Sequence, residues 1–438
     1  MRQSGLIHSR RFAPLFLTQF LGAFNDNVFR FALVIFVTFT VAERTGLDTR
    51  VLVVLTGAIF ILPFFLFSAF AGQVADKYEK AALIRHVKTA EIVVMGLGAL
   101  GFWLESYPFL LAVLFLMGLQ STFFGPLKYS VLPQHLAPDE LTGGNGLIQL
   151  GTYVAILTGG LCGGLLASLG HDAPLAIVAA VVGIALLGRT AAAFIPPAPA
   201  NDPRLQVDRN IARSTWTILA ESTRDRPLFV LIVLISMFWF IGATYLSVVP
   251  TYGKVLLGAD EQAVTLLNAA FTVGIGIGSL ACERLSRGRI ELGIVPFAAL
   301  GITLASLDVW LAGTPPAPAG VLTPALFFSS PHALRLFVDL AVIGACGALY
   351  IVPLYAALQA RSDPQWVSRM LAALNIVDAL FMVLSAAFTV ALYELGVGVP
   401  GVFGVVGLLN LGVLIAATAG MPEFRARARA LLGRSAAG

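Results

Sequence analysis

The sequence predicts an all-α membrane protein with about twelve transmembrane helices in two six-helix bundles. Of its 438 residues, 58% are hydrophobic and only 12% are charged, and the mean hydropathy is +0.87. A soluble domain carries about 25% charged residues, so this composition predicts a surface that mostly faces lipid. The apolar runs are about 20 residues long, which fits membrane-spanning helices and not the alternating ten-residue segments of a barrel.

Six apolar segments precede a polar stretch, and six follow it. The first six cover residues 12–41, 51–73, 81–104, 108–131, 141–169 and 173–194. The second six cover residues 227–257, 261–281, 291–313, 335–357, 368–394 and 399–420. We therefore expect an N-terminal bundle over residues 1–195, a cytoplasmic linker over residues 196–226, and a C-terminal bundle with a short basic tail over residues 227–438.

Two connecting stretches have their own composition. The linker begins with Pro196-Pro197-Ala198-Pro199, and we expect it to be a solvated connector. Within it, residues 211–222 have the pattern of an interfacial helix with Trp216 on its apolar side. The loop over residues 313–334 is rich in Pro and Gly, and we expect no regular structure there.

The distribution of Lys and Arg predicts the orientation in the membrane. If the N-terminus is cytoplasmic, the cytoplasmic segments hold about 21 Lys and Arg residues and the outer loops about four. This asymmetry predicts that both termini are cytoplasmic. The net charge of +4 then follows from membrane orientation and does not indicate nucleic-acid binding.

The first apolar segment contains an unusual polar cluster, Asn25-Asp26-Asn27 with Arg30. Asp26 lies about 14 residues into the segment, so at 1.5 Å per residue it is roughly 20 Å deep. An ionisable group there costs a few kcal/mol or more, so it usually has a partner and a purpose. Two interpretations stay open: Asp26 faces a central cavity and acts in binding or gating, or it pairs with Arg30 one turn later and stiffens the helix.

Other polar residues lie within or at the ends of predicted helices, where they are candidates for substrate binding. They are Gln19, Lys88, Glu91, Gln120, Lys128, Gln149, Asn375 and Asp378. Lys88 and Glu91 share a helix face, and a contact with anionic lipid or an intracellular gate is the alternative role for that face. Lys128 follows Gly125-Pro126, a predicted local helix break, and is a candidate for a phosphate contact or an interfacial anchor.

The glycine pairs Gly159-Gly160 and Gly163-Gly164 predict close packing between helices, because small residues let helix backbones approach in membranes. We do not interpret them as a phosphate-binding loop, since no Lys-Thr follows and no strand precedes them.

The two halves show a weak internal repeat in the loop that follows the second helix of each. The first copy, residues 72–80, resembles motif A of the major facilitator superfamily through Gly72, Asp76, Lys77 and Lys80. The resemblance implies that Asp76 ties this loop to neighbouring helices in the outward-open state. The second copy, residues 278–289, has Cys282 in place of the Asp. The residues expected to act in gating are Gly72, Asp76, Lys77, Arg284 and Arg287.

A finer resemblance covers nearly the whole chain. Residues 16–29 and 124–133 and Gly144-Asn145-Gly146 are similar to the lysophospholipid transporter family, as are residues 283–286, 291–296 and 352–355 in the second half. The transporter module that some bacteria fuse to a phospholipid acyltransferase shows the same pattern. The chain departs from the family at two places. At Gln149 the family frequently has a Glu. At residues 243–246 some members carry an Arg, which is absent here and in the fused modules.

The resemblance implies an alternating-access transporter in the bacterial inner membrane. Its substrate would be a lysophospholipid, such as lysophosphatidylethanolamine, moved to the cytoplasmic leaflet for reacylation by a separate acyltransferase. We expect a monomer whose partners are this substrate and membrane lipids. A facilitator and coupling to protons or sodium all stay open as energy sources.

Three other functions have different requirements. A drug or metabolite transporter of the same superfamily would give a resistance phenotype. A membrane-bound enzyme would need a nucleophile–base pair or a metal cluster, but the five His and three Cys residues have no ligand spacing, so we expect no metal and no cofactor. A sensor or scaffold would need a signalling domain.

Overall fold

A computed structural model describes residues 3–36, 49–169, 173–316 and 320–435. All long elements in these ranges are helices, which confirms the all-α prediction. The helices up to the linker are α1 (Gln3–Ile7), α2 (Ala13–Phe36), α3 (Thr49–Lys77), α4 (Lys80–Trp103), α5 (Tyr107–His135), α6 (Leu141–Ala167) and α7 (Ala173–Ala193). The later helices are α8 (Ile211–Ser222), α9 (Arg226–Thr251), α10 (Glu261–Ser286), α11 (Ile294–Ala312), α12 (Pro324–Phe327), α13 (Pro331–Arg361), α14 (Val367–Glu394), α15 (Val399–Gly420) and α16 (Pro422–Ser435).

Within the described ranges, ten helices are long and apolar enough to cross a membrane. The helices α2 and α4 are of similar length but do not reach that apolarity, because α2 carries Asn25, Asp26, Asn27 and Arg30 and α4 carries Lys88 and Glu91 among other charged residues. These two helices thus carry predicted polar residues that lipid alone would solvate poorly. The number of membrane crossings and the cytoplasmic position of the termini stay predictions.

The chain forms two compact units. Unit 1 comprises Met1–Ala137, Gly151–Asp225 and Arg361–Ala379, and unit 2 comprises Pro138–Leu150, Arg226–Ala360 and Leu380–Gly438. The helices α6 and α14 each contribute residues to both units. The predicted boundaries at residues 195 and 227 stay a prediction.

Small residues set the helix packing in both units. In unit 1, a Cβ atom on Gly159 would lie 2.5 Å from the Phe24 carbonyl oxygen, and one on Gly163 would overlap the Val28 carbonyl oxygen. This confirms the close packing predicted for the α6 glycines. In unit 2, Gly274 on α10 likewise meets the backbone of Ala341 on α13. Close backbone approach replaces the hydrophobic effect, which does not drive helix association in lipid.

Two expectations about irregular structure are wrong. The loop over residues 313–334 contains α12, which begins at Pro324, a residue whose fixed φ suits the first helical position. Its Phe327 is buried and contacts the ring of Phe337. Helix α5 continues through Gly125-Pro126 without a break, as membrane helices do where neighbouring helices support the backbone.

The linker is also more ordered than expected. The predicted helix is present as α8, and its buried face, with Ser214 and Ile218, packs on α3, whereas Trp216 is 75% exposed on the opposite face. The stretch before α8 is mostly exposed or half-buried, as expected of a solvated connector, but it is also hydrogen-bonded to α3. There the Asp202 and Asp208 amides donate hydrogen bonds to the Asp76 carbonyl and to the Gln73 side chain.

We predict that Gly163→Ala destabilises the protein by about 1–3 kcal/mol, because its methyl group would overlap the backbone of Val28 and force the helices apart. Gly183→Ala on α7 is the matched control, since nothing lies within 4 Å of the position of its Cβ atom. Thermal unfolding of the detergent-solubilised variants measures both. Equal melting temperatures for the two variants would contradict the packing described for α2 and α6.

Candidate functional site

The candidate site of unit 1 is built around the carboxylate of Glu91. Glu91 accepts from Lys88 Nζ at 2.5 Å, from Asn25 Nδ2 at 3.2 Å and from Gln120 Nε2 at 3.1 Å. The Lys88 and Glu91 side chains are each 1% exposed. Three donors from α2, α4 and α5 thus neutralise and solvate one buried carboxylate, which is what a buried charge requires.

Lys88 reaches Glu91 because the two residues are one turn apart on α4. Its ammonium also lies 5.0 Å from the centroid of the Phe124 ring, a cation–π contact. The site has room for it because Gly22 on α2 has no side chain, and a Cβ atom there would overlap Lys88 Nζ.

A chain of close polar contacts connects Glu91 to Asp26. The Gln120 amide nitrogen donates to Glu91, which leaves its Oε1 atom 3.2 Å from Ser121 Oγ. Ser121 Oγ also lies 2.7 Å from Asp26 Oδ2, to which it donates. Glu91 therefore fixes the orientation of Gln120, and through it the surroundings of Asp26.

Two acceptor atoms of this cluster have no hydrogen-bond partner in the described part of the chain. They are Asn25 Oδ1 and Asp26 Oδ1, both buried. In unit 1 the buried Nδ2 atom of Asn375 on α14 is in the same condition. Because more than about 90% of buried polar groups in proteins are paired, these atoms mark where a ligand or water would bind.

Two further cations, Arg30 and Lys128, lie near the cluster, and neither forms an ion pair in the described part of the chain as Lys88 does with Glu91. Among the described residues, no ion pair joins Asp26 to Arg30, whose guanidinium instead lies 4.6 Å from the centroid of the Phe60 ring. Lys128 lies over the ring of Tyr129 at 4.8 Å and is close enough to Asp26 to interact with it electrostatically. Of the two interpretations of Asp26, the internal ion pair is therefore not the arrangement observed.

The remaining predicted residues lie around this cluster or apart from it. Gln19 accepts from Thr152 on α6 at 3.1 Å, and Asn27 donates to the Ala23 carbonyl of its own helix at 2.7 Å. Asp378 is buried in unit 1, whereas Gln149 belongs to unit 2. The structure thus brings Asn25, Asp26, Lys88, Glu91 and Gln120 together, with Arg30 and Lys128 nearby.

Sequence reasoning missed two contributors. Ser121 supplies the hydrogen bond to Asp26, and Phe124 supplies the ring over Lys88. Their spacing in the sequence could have identified both residues, because Gln120, Ser121 and Phe124 lie within about one turn of α5.

Unit 1 has a second polar centre at Asp76, the motif residue in the last turn of α3. This residue is fully buried. Its carboxylate accepts from the backbone amides of Ser368 at 3.1 Å and Arg369 at 3.2 Å, at the N-terminus of α14. It also accepts from Arg369 Nε at 2.9 Å. A carboxylate at a helix N-terminus is stabilised by unpaired amides and by the helix dipole. The neighbouring Gly72 is required because a Cβ atom there would lie 2.5 Å from Ala372 Cβ.

The linker is hydrogen-bonded to this centre. Lys80, at the start of α4, is buried and donates to the Pro199 carbonyl at 3.0 Å and to Asn201 Oδ1 at 2.8 Å. Asn201 in turn donates to Asp76 at 2.9 Å, and Glu79 accepts from the Ala198 amide at 2.7 Å. Lys77 is not part of this network in its described contacts and lies over the ring of Tyr78 at 5.7 Å.

The second copy of the motif, in unit 2, has a different chemistry. Cys282 is buried, whereas Arg284 and Arg287 are exposed, and Arg287 ends α10 in the left-handed conformation with φ of 50°. The C-terminal helix α16 contacts this loop, since Arg427 donates to the Ile290 carbonyl at 2.9 Å. No group of His, Cys, Asp or Glu residues in the described ranges is arranged to hold a metal ion.

Removing one member of the Lys88–Glu91 pair leaves the other as a buried unpaired charge. We predict that Lys88→Met lowers the free energy of unfolding by about 3–5 kcal/mol and that Lys88→Met with Glu91→Gln recovers most of that loss. The exposed pair Arg224–Glu221 is the control, and its removal should change stability by less than about 1 kcal/mol. Additive losses in the double variant, measured by thermal unfolding, would contradict the pairing.

Comparison with known proteins shows which family has this architecture. The Major Facilitator Superfamily profile matches residues 15–330. The lysophospholipid transporter LplT of Pectobacterium carotovorum subsp. carotovorum is 30% identical over 81% of this chain and 79% of its own length. LplT of Salmonella newport is 29% identical over 92% of each chain. The solved structure of the human organic anion transporter MFSD10 superposes with a TM-score of 0.71 at 15% identity, over 93% of this chain and 99% of that one, which shows the fold alone.

These matches agree with the helical architecture and with the polar cluster buried among apolar helices. The chain is an all-α, multi-pass membrane protein with the major facilitator fold, and it is a transporter and not an enzyme. It belongs to the major facilitator superfamily and, within it, to the lysophospholipid transporter family.

Proposed function

We propose that this protein is an alternating-access transporter that moves lysophospholipid, such as lysophosphatidylethanolamine, across the bacterial inner membrane. The observation that carries the proposal is the incompletely paired cluster of unit 1, with the free acceptor atoms Asn25 Oδ1 and Asp26 Oδ1 and the nearby cations Arg30 and Lys128. The names of the relatives support the same substrate class.

The chemistry of the headgroup fits these atoms. The headgroup of lysophosphatidylethanolamine carries a primary ammonium, which donates hydrogen bonds, and a phosphate, which accepts them. The ammonium suits the Asp26 carboxylate and the Asn25 carbonyl oxygen, and the phosphate suits Lys128 or Arg30, because hydrogen bonds between charged partners are the strongest kind. Lys88 and Glu91 satisfy each other, so their role is to hold the site in shape and not to contact the substrate.

The acyl chain needs an apolar surface beside the headgroup. A row of stacked phenyl rings begins at Phe12, which is buried just before α2, and continues along α2 with the half-buried rings of Phe16, Phe20 and Phe24. Successive ring centroids are 5.9, 6.3 and 6.2 Å apart. The row ends at Phe24, directly before Asn25 and Asp26. One helix therefore offers an apolar track and a polar end to a single-chain lipid.

Alternating access requires contacts that hold one conformation and can be broken. The Asp76 centre has this character, since it joins the last turn of α3 to the N-terminus of α14 through one ion pair and two amide hydrogen bonds. We propose that Asp76, Gly72 and Lys77 act in gating, with Arg284 and Arg287 as their counterparts in the second repeat. Delivery to the cytoplasmic leaflet would supply a separate acyltransferase, and the transporter would act as a monomer.

We predict that Asp26→Asn raises the KM for lysophosphatidylethanolamine uptake by about 10- to 100-fold, as expected for loss of a hydrogen bond worth roughly 1.5–3 kcal/mol to a charged group. Lys128→Gln should weaken uptake similarly, because it removes a charge available to the phosphate. The measurement is uptake of labelled lipid into spheroplasts that lack other carriers for it.

Lys254→Gln in unit 2 is the control, because this lysine is exposed and belongs to neither polar centre. Uptake that is undiminished in both Asp26→Asn and Lys128→Gln would contradict the proposed site. Absence of lysophospholipid uptake by the wild-type protein, with transport of another compound from a substrate panel, would contradict the proposed substrate.

A further inference from the structure

We propose that Asn145 and Gln359 form a neutral lock that opens once in every transport cycle. The inference rests on the proposed function, because it assumes that the protein alternates between two conformations. It assigns a gating role to two residues, one on α6 and one on α13, that the charged Asp76 centre does not include.

The two side chains form a reciprocal pair within unit 2. Asn145 Nδ2 donates to Gln359 Oε1 at 2.7 Å, and Gln359 Nε2 donates to Asn145 Oδ1 at 3.1 Å. Asn145 Nδ2 also donates to the Leu141 carbonyl of its own helix at 2.9 Å. Asn145 is 0% and Gln359 is 3% exposed. Removing either side chain therefore leaves a buried amide without its reciprocal partner, which is costly.

The pair joins one helix from the first half of the sequence to one from the second half. Asn145 belongs to the first six long helices and Gln359 to the last six. A carrier that alternates by moving these two sets of helices against each other must break every contact that joins them. Thr142 on α6, which donates to the Arg289 carbonyl at 3.4 Å, is a second contact of this kind in the same place.

The internal repeat shows where the two halves differ. In unit 1, the end of α3, the second long helix of the first set, supplies the Asp76 carboxylate to the N-terminus of α14, the fifth long helix of the second set. In unit 2, the loop after α10 meets the N-terminal part of α6, the fifth long helix of the first set, through Thr142 and the Arg289 carbonyl. Cys282 stands where the repeat would place the carboxylate, so this contact is neutral, as is the amide pair that joins α6 to α13 beside it.

The alternative is that the pair is a permanent packing contact between α6 and α13. The two possibilities differ in what happens when the residues are joined covalently. A permanent contact tolerates a crosslink, whereas a lock that must open does not.

The test is Asn145→Cys with Gln359→Cys in a background in which Cys162, Cys282 and Cys346 are replaced by Ser and uptake is retained. Uptake of labelled lysophosphatidylethanolamine is measured after oxidation or a short bismaleimide, and again after reduction of the oxidised sample. We expect uptake to fall in proportion to the crosslinked fraction and to return when the disulfide is reduced, which also shows that the variant is folded.

The matched control is Thr303→Cys with Asn410→Cys in unit 2. These side chains are also buried and hydrogen-bonded, at 3.0 Å, but both belong to the last six long helices, so crosslinking them should leave uptake unchanged. Full uptake by the fully crosslinked Asn145–Gln359 variant would overturn the lock, as would failure of both reagents to join the two positions. Absence of uptake by the wild-type protein would instead count against the proposed substrate.

Discussion

A carboxylate buried among apolar helices must be neutralised where it lies, and the candidate site depends on how this is done for Glu91. Lys88 supplies the charge, and Asn25 and Gln120 supply the remaining hydrogen bonds. Because both amides turn their nitrogen atoms toward Glu91, their oxygen atoms face elsewhere. The free Asn25 Oδ1 atom that we assign to the substrate is thus a consequence of a charge that the substrate need not touch.

The charged centre of unit 1 and the contacts of unit 2 differ in chemistry. The Asp76 carboxylate combines the N-terminus of α14, the Arg369 side chain and the linker in one network, so the linker is part of the centre to which we assign gating. The repeated position in unit 2 is Cys282, which carries no carboxylate. The contact that we propose as a gate there is the neutral amide pair between α6 and α13.

The sequence predicted most of the fold because long apolar runs have one solution in lipid, and the observed helices lie within a few residues of those runs. It predicted the cluster because charges at Asp26, Lys88 and Glu91 are costly among apolar residues. It did not predict that Asp26 bonds to Ser121 and not to Arg30, since i,i+4 spacing gives proximity but not the choice between neighbours on other helices. Gln359 was overlooked because a single amide at a helix end has no pattern until its partner is seen.

The central claim is that the lipid headgroup binds at the cluster of α2 and α5 in unit 1. Photocrosslinking with a lysophosphatidylethanolamine that carries the reactive group on its headgroup, followed by peptide mapping, tests this most directly. The account predicts labelling of residues 19–30 and 120–128, which unlabelled lysophosphatidylethanolamine prevents and Asp26→Asn reduces. Specific labelling confined to other helices, unchanged by Asp26→Asn, would contradict it.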